Sequence, residues 1–152
     1  MRLLESEAVQ SYFDYPTEGD GRDEVVFLAG RSREDWARLA RHADRVRFRE
    51  GEELVRAGEV DRSLYVVLTG RLEPGVASAA AIEAGSVFGE LSFLDGLPRS
   101  ASVRATADGE ALRLSFDAFE TLAARHPELG RAILLDLGRI ATLRLRRLTE
   151  RR

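Results

Sequence analysis

The sequence predicts a mainly β fold: an antiparallel sandwich, barrel or jelly roll flanked by helices. Two observations carry that expectation. Between Ala43 and Ser115, short apolar runs recur, punctuated by Gly51, Gly58, Gly70, Gly75, Gly85, Gly96 and Gly109. On either side of this region the apolar residues change to helical spacing. At 152 residues and 44% apolar, the chain has the size and composition of one ordinary globular domain with a core of its own.

Residues 1–24 read as an acidic N-terminal segment and linker. LLESEAVQSYF has the spacing of a short amphipathic helix through Leu4, Ala8 and Tyr12, and YPTEGDGRDE is a loop by its Pro, Gly and acid content. The β-roll with its flanking helices is placed at 25–126. Within it, SREDWARLARHA is a helix that starts at Ser32, whose side chain is positioned to cap orphan N–H groups, with Asp35 three residues on. Trp36, Leu39 and Ala40 form its core face. The runs RVRF, ELVRA, SLYVVLTG, RLEP, AAI, SVFG, ASVRA and EALRLSF follow as strands. In RVRF, Val46 and Phe48 alternate inward and Arg45 and Arg47 outward. FDAFETLAARH returns to helix, with Ser115 as its cap. His126-Pro127 interrupts the period, and proline is favoured in the first turn of the helix that follows.

The last helix, 127–152, is read as a lid or dimerisation helix. Leu134, Leu137, Ala141, Leu145 and Leu148 line one stripe, and Ile133, Ile140 and Leu143 widen it. A helix apolar over so much of its girth needs more than one surface to cover it. Its own domain supplies one; a second copy or a protein partner is expected to supply the other.

Composition removes several classes of function. With no cysteine there is no disulfide, thiolate nucleophile or thiolate metal site. Only His42 and His126 are present, so a multi-histidine metal site of the kind found in metal-dependent jelly-roll enzymes is not expected, and no metal is assigned. No acid–base pair with catalytic spacing stands out either, and an enzyme is not expected. A net charge of −3 does not describe a nucleic-acid binder. No apolar run is long enough to cross a bilayer and no secretory pattern opens the chain, so membrane insertion is not expected and the cytoplasm is the expected location. Every basic residue is arginine. Seven acids lie in residues 1–24 and seven arginines in residues 131–152, which leaves the two ends oppositely charged.

The chemistry concentrates in FGELSFLDGLPRSASV, residues 88–103. Gly89 lets backbone approach a ligand closely, since no Cβ intrudes. Glu90-Leu91-Ser92-Phe93-Leu94 has the makings of a single helical turn whose first N–H groups favour an anion. Asp95-Gly96 is a turn, Pro98 stiffens the return, and Arg99 projects back with the planar fork that grips phosphate oxygens. Ser100 adds a hydroxyl, and the amides of Ser100 and Ala101 add further donors. Glu90 repels a phosphate but accepts from a hydroxyl such as a ribose 2′-OH. A phosphate beside a free 2′-hydroxyl is the mark of a ribonucleotide.

This stretch resembles the phosphate-binding cassette of the cyclic nucleotide-binding domain shared by bacterial catabolite activators, protein kinase A regulatory subunits and nucleotide-gated channels. FREGEELVRAGEVDRSLYVVLTGRL is similar to that family's upstream pattern through Phe48, Gly51, Leu54, Gly58, Glu59, Leu64, Tyr65 and Gly70. The resemblance covers residues 25–150. It implies an eight-stranded antiparallel jelly roll, a double-stranded β-helix related to cupins, with an N-terminal helical element and two C-terminal helices. It implies a cyclic nucleotide site at Phe88, Gly89, Glu90, Leu91, Ser92, Arg99, Ser100 and Ala101. Glu90 would take the ribose 2′-OH, and Arg99 the cyclic phosphate with the amides of Leu91 and Ala101 and with Ser100. Cyclic AMP is the expected ligand and cyclic GMP the alternative, since Ser100 does not choose between them. No cofactor is implied.

The final helix would close over the base, with Arg139 or Arg144 as the stacking residue. Trp36 and Tyr65 are read as core residues. The segment between Gly70 and Gly85 is shorter than in the family, so a clipped hairpin is expected there. No winged helix of the kind carried by family transcription factors occurs in these 152 residues, and direct DNA binding is not expected. The alternative function is a degenerate, ligand-free module that serves as an interaction or dimerisation scaffold. Such a module usually loses Glu90 or Arg99, and this chain keeps both.

Overall fold

In chain order the fold comprises α1 (Arg33–His42), β1 (Asp44–Phe48), β2 (Glu53–Val55), β3 (Ser63–Pro74), β4 (Ile82–Glu83), β5 (Val87–Phe88), α2 (Glu90–Asp95), β6 (Val103–Ser115), α3 (Phe116–Arg125) and α4 (Pro127–Glu150). The structure, a computed structural model, describes residues 26–75 and 80–150, with side chains described through residue 146. The helix and acidic segment expected over residues 1–24, and the side chain of Leu148, lie outside the described residues.

Every strand pairing is antiparallel. The order is β1-β6-β3-β4, with β2 also on β6 and β5 on β3. Six strands are present among the described residues, where the family resemblance implies eight. The reason lies at two glycines. SLYVVLTG and RLEP are one strand of 12 residues, and ASVRA and EALRLSF run together in one of 13. These two strands pass at Gly70 and Gly109. Gly70 has φ +90°, and a Cβ on Gly109 would stand 2.2 Å from the Thr69 carbonyl oxygen. The β3–β6 register slips on both sides of Thr69. The glycines therefore let long strands bend through a bulge, where the sequence reads them as strand ends.

The first half of β3 is buried on both faces, and its alternation divides the core in two. Leu64 and Val66 point toward the helices, where they meet Leu39, Phe93, Phe119 and Ile133. Tyr65 and Val67 point into the roll, against Phe48, Val55, Phe88 and Ala111. In β1, Phe48 is buried and Val46 half-buried while Arg45 and Arg47 face solvent, as the alternation predicts.

The helix starts follow their caps. Ser32 Oγ accepts from the Asp35 amide at 3.1 Å, and Ser115 Oγ from the Ala118 amide at 3.1 Å. On α1, Leu39 is buried and Trp36 packs edge-on to Phe27, but Ala40 turns to solvent. His126 ends α3 outside the helical region and Pro127 opens α4. The face of α4 against the domain is Leu129, Ile133, Leu137 and Ile140. Leu134 and Leu145, read as members of the apolar stripe, are exposed instead, together with Leu135. Leu137 keeps its place on the buried face, and Ile133 and Ile140, read as widening the stripe, are the residues that join it there. No helix among the described residues is long and apolar enough to cross a membrane.

Candidate functional site

The end of β5, helix α2 and the loop before β6 enclose a hollow lined by Gly89, Glu90, Leu91, Ser92, Arg99, Ser100 and Ala101, with Val55 and Val103 as apolar walls. It is a shallow hollow, open to solvent at its mouth, with about 300 Å³ of empty space when the solvent at the mouth is included. Seven of the eight cassette residues singled out from sequence thus border one space. The eighth, Phe88, lies beneath it, buried and stacked on Tyr65 with ring centroids 4.7 Å apart. Val55 and Val103 were not anticipated. They are the inward residues of β2 and β6, whose pairing closes this end of the roll.

Arg99 is the charged centre of the hollow. It is only 3% exposed. Its Nη1 donates to the Gly89 carbonyl at 3.1 Å, and its Nη2 donates to the Ser63 carbonyl at 2.7 Å and to Asp61 Oδ2 at 3.1 Å. Its Nε is buried and has no partner among the described residues. Its backbone is fixed as well: the Arg99 amide donates to Glu59 O, and Arg99 O accepts from the Gly58 amide. Gly89 has φ +83°, and a Cβ there would stand 2.6 Å from Arg99 Nη1 and 2.9 Å from Ser63 O. Glycine is therefore needed to make room for the arginine itself, a constraint that sequence reading assigned to the ligand. Asp61 and Ser63, the grips on Arg99, were also missed; a carbonyl's role leaves no trace in residue identity.

The other end of the hollow belongs to Glu90. Its side chain is 1% exposed, and Arg144, reaching in from α4 and 4% exposed, donates from Nη1 to Glu90 Oε1. Arg144 Nη2 also donates to Val87 O at 3.3 Å. Of the two arginines proposed for the lid, the fold brings only this one to the cassette. Arg139 points outward, 4.0 Å from Asp136. A signal for Arg144 exists in the sequence: continuing the buried spacing of Ile133, Leu137 and Ile140 by four residues lands on it.

Arg99 Cζ also stands 6.0 Å from the centre of the buried Tyr65 ring. Burial raises the Tyr65 phenol above its ordinary pKa, and the Asp61 carboxylate adds to the rise, partly offset by a hydrogen bond with Arg113. Among the described residues no group of three or more His, Cys, Asp or Glu is placed to hold a metal. The chemistry on offer is electrostatic and hydrogen-bonding: a buried guanidinium for an anion, and a carboxylate for a hydroxyl.

Residues 45–126 match the cyclic nucleotide-binding domain family, and the chain belongs to it. It is 32% identical over 104 residues to a cAMP-dependent protein kinase regulatory subunit of Emericella nidulans, an alignment that takes in 66% of this chain and 25% of that protein. Among solved structures it resembles a cyclic nucleotide-binding domain from Methylobacillus flagellatus, with a TM-score of 0.71, 27% identity, and coverage of 95% of this chain and 80% of that one. A chain solved in work on a cyclic-GMP-dependent signalling pathway in bacterial phytopathogenesis matches with a TM-score of 0.62 and 28% identity, over 68% of this chain and 88% of that one. This chain thus spans about a quarter of the length of the kinase subunit.

Proposed function

We propose that the domain is a sensor that binds cyclic AMP through Arg99 and Glu90 and signals by repositioning α4. The observation that carries this reading is the state of Arg99: a buried cation facing the hollow, with a donor left over after its protein partners are counted. A cyclic phosphate supplies the missing acceptor, and Ser100 with the amides of Leu91 and Ala101 supplies the rest of its cradle. Glu90 takes the ribose 2′-OH. A carboxylate offers about four lone-pair sites, enough for a guanidinium and a hydroxyl together. Ligand and α4 then meet on one side chain, and a ligand that prefers one placement of the helix populates it. The exposed Leu134, Leu135 and Leu145 give α4 an outer face for a second copy or a protein partner. The names of the relatives point both to cyclic AMP and to cyclic GMP, and nothing in Ser100 separates the two.

A thermal-shift titration against cyclic AMP, cyclic GMP and 5′-AMP tests the reading, because a ligand of the native state raises its melting temperature. Cyclic AMP is expected to give the largest rise. Arg99→Ala is expected to weaken binding by about 10- to 150-fold, the equivalent of roughly 1.5–3 kcal/mol for a charge-assisted contact. Glu90→Gln is expected to lose less affinity for a 2′-deoxy ligand than for the natural one. The Glu90–Arg144 pair favours a second reading, a ligand-free scaffold whose sugar end is filled by its own arginine. No shift with any of the three nucleotides would select it.

A further inference from the structure

Arg62 stands in the loop before β3, half-buried between Asp61 and Ser63, two of the residues that grip Arg99. Its Nε donates to the Phe93 carbonyl at 2.8 Å and its Nη2 to the Leu94 carbonyl at 3.1 Å. These are among the last carbonyls of α2, which intrahelical bonding leaves unsatisfied. Gly96 accounts for only one of that set, its amide donating to Ser92 O. The guanidinium also lies flat enough on the first residue of α3 to bring Cζ 3.5 Å from the centre of the Phe116 ring. Through its backbone, Arg62 O accepts from the Phe116 amide at 3.0 Å.

We infer that Arg62 is a positioning residue that ties the cassette helix α2 to the first C-terminal helix α3, so that a movement of the Arg99 cage reaches the C-terminal helices. The path is short and made of stiff parts. Asp61 Oδ2 and Ser63 O hold Arg99, so a ligand that pulls on Arg99 pulls on the segment 61–63. The side chain between them holds both helices at once. A parallel apolar contact runs beside it: Phe93 packs edge-on to Phe116 and Phe119, each at 5.4 Å. That contact alone lets α3 slide, because edge-to-face rings have no fixed partner atoms. The fork of Arg62 fixes the two helix ends to each other in direction as well as distance. Lysine cannot replace it, having no plane to stack and no paired donors.

The ligand arm of the test rests on the proposed binding of cyclic AMP; the other arm does not. Hydrogen exchange is followed in wild type, Arg62→Lys and Arg62→Ala, without ligand and with saturating cyclic AMP. Without ligand, Arg62→Ala is expected to speed exchange at the end of α2 and the start of α3 together, by about tenfold or more, with Arg62→Lys between. With cyclic AMP, wild type is expected to change protection across α3 and α4. Arg62→Ala is expected to bind with an affinity loss smaller than about tenfold and to lose that response. An equal response of α3 and α4 in variant and wild type, or loosening confined to α2, overturns the inference. Should wild type take up no cyclic AMP, the functional proposal falls, and the ligand-free arm alone decides the tether: unchanged exchange at Phe116–Leu122 overturns it. Should Arg62→Ala fail to fold, Phe116→Leu removes the ring under the guanidinium while keeping an apolar side chain. It is then expected to uncouple α3 in the same way, and failure to do so counts against the tether.

Discussion

Two buried arginines serve one hollow, Arg99 by lining it and Arg144 through its pair with Glu90, and they are built on different terms. Arg99 is held by two backbone carbonyls and by Asp61, whose side chain is 36% exposed, and its Nε has no acceptor among the described residues. Its charge is thus only loosely balanced by the protein, which leaves an end that welcomes an anion. Arg144 sits against Glu90, and both side chains are almost wholly buried. Its charge is met in place, by a carboxylate from a different element. The first end has the character of a receptor. The second has that of a latch, because the pair joins α4 to α2.

The largest effect is expected at the latch. Arg144→Ala removes the guanidinium that faces the buried Glu90 carboxylate, and removing one partner of a buried pair typically destabilises by about 3–5 kcal/mol. Urea denaturation is expected to show a loss in that range. Replacing both partners by apolar residues, Glu90→Leu with Arg144→Met, is expected to recover most of it, since an apolar pair carries no desolvation penalty. The double variant should nevertheless fail to bind a ribose hydroxyl. A single-variant loss below about 1 kcal/mol would put Arg144 with the solvent-screened surface arginines and dissolve the distinction.

A smaller effect probes the receptor end through its backbone. Gly89→Ala places a methyl 2.6 Å from Arg99 Nη1 at a residue with φ +83°. The left-handed conformation alone disfavours alanine by roughly 1–2 kcal/mol. The arginine must then shift, while the neighbouring Ser63 carbonyl, part of a buried strand, has little freedom to do so. The expected result is a stability loss of about 2 kcal/mol together with weakened cyclic AMP binding, read by melting and calorimetry on the same samples. Lost stability with unchanged affinity would mean that the position of Arg99 does not set the site.

How far these two ends were legible in the sequence follows from the kind of information each uses. The cassette is local: Gly89, Glu90, Arg99, Ser100 and Ala101 fall within thirteen consecutive residues, and their chemistry points to one ligand class. The helix caps at Ser32 and Ser115 are equally local and form as the spacing predicts. What sequence reasoning missed depends on long-range geometry. Gly70 and Gly109 read as punctuation because nothing local reveals that they face each other across a bend in two continuous strands. The phase of α4 was misread because leucines abound on several sides of it, so that counting them does not identify the side that meets the sheet. Had the stripe been drawn through Ile133, Leu137 and Ile140, Arg144 would have appeared as a charge on a buried face, with Arg139 excluded. The carbonyls that hold Arg99 have no sequence signature at all.

The gentlest test exchanges the acid partner of the other arginine. Asp61→Asn removes a half-exposed carboxylate 3.1 Å from Arg99 Nη2, while the carbonyls of Ser63 and Gly89 continue to hold the guanidinium. An ion pair with one exposed member contributes at most about 1 kcal/mol, so stability is expected to change by less than that. Affinity for cyclic AMP is expected to rise, by up to about fivefold, because the phosphate no longer shares the cation with a resident anion. The gain should shrink as salt is added, since a charge at the protein surface is screened over about 10 Å at 0.1 M. Calorimetry at low and high ionic strength measures both. A loss of affinity of tenfold or more would instead make Asp61 the residue that orients Arg99. The receptor end would then rest on a paired acid just as the latch does, and the two arginines would differ only in how deeply their partners are buried.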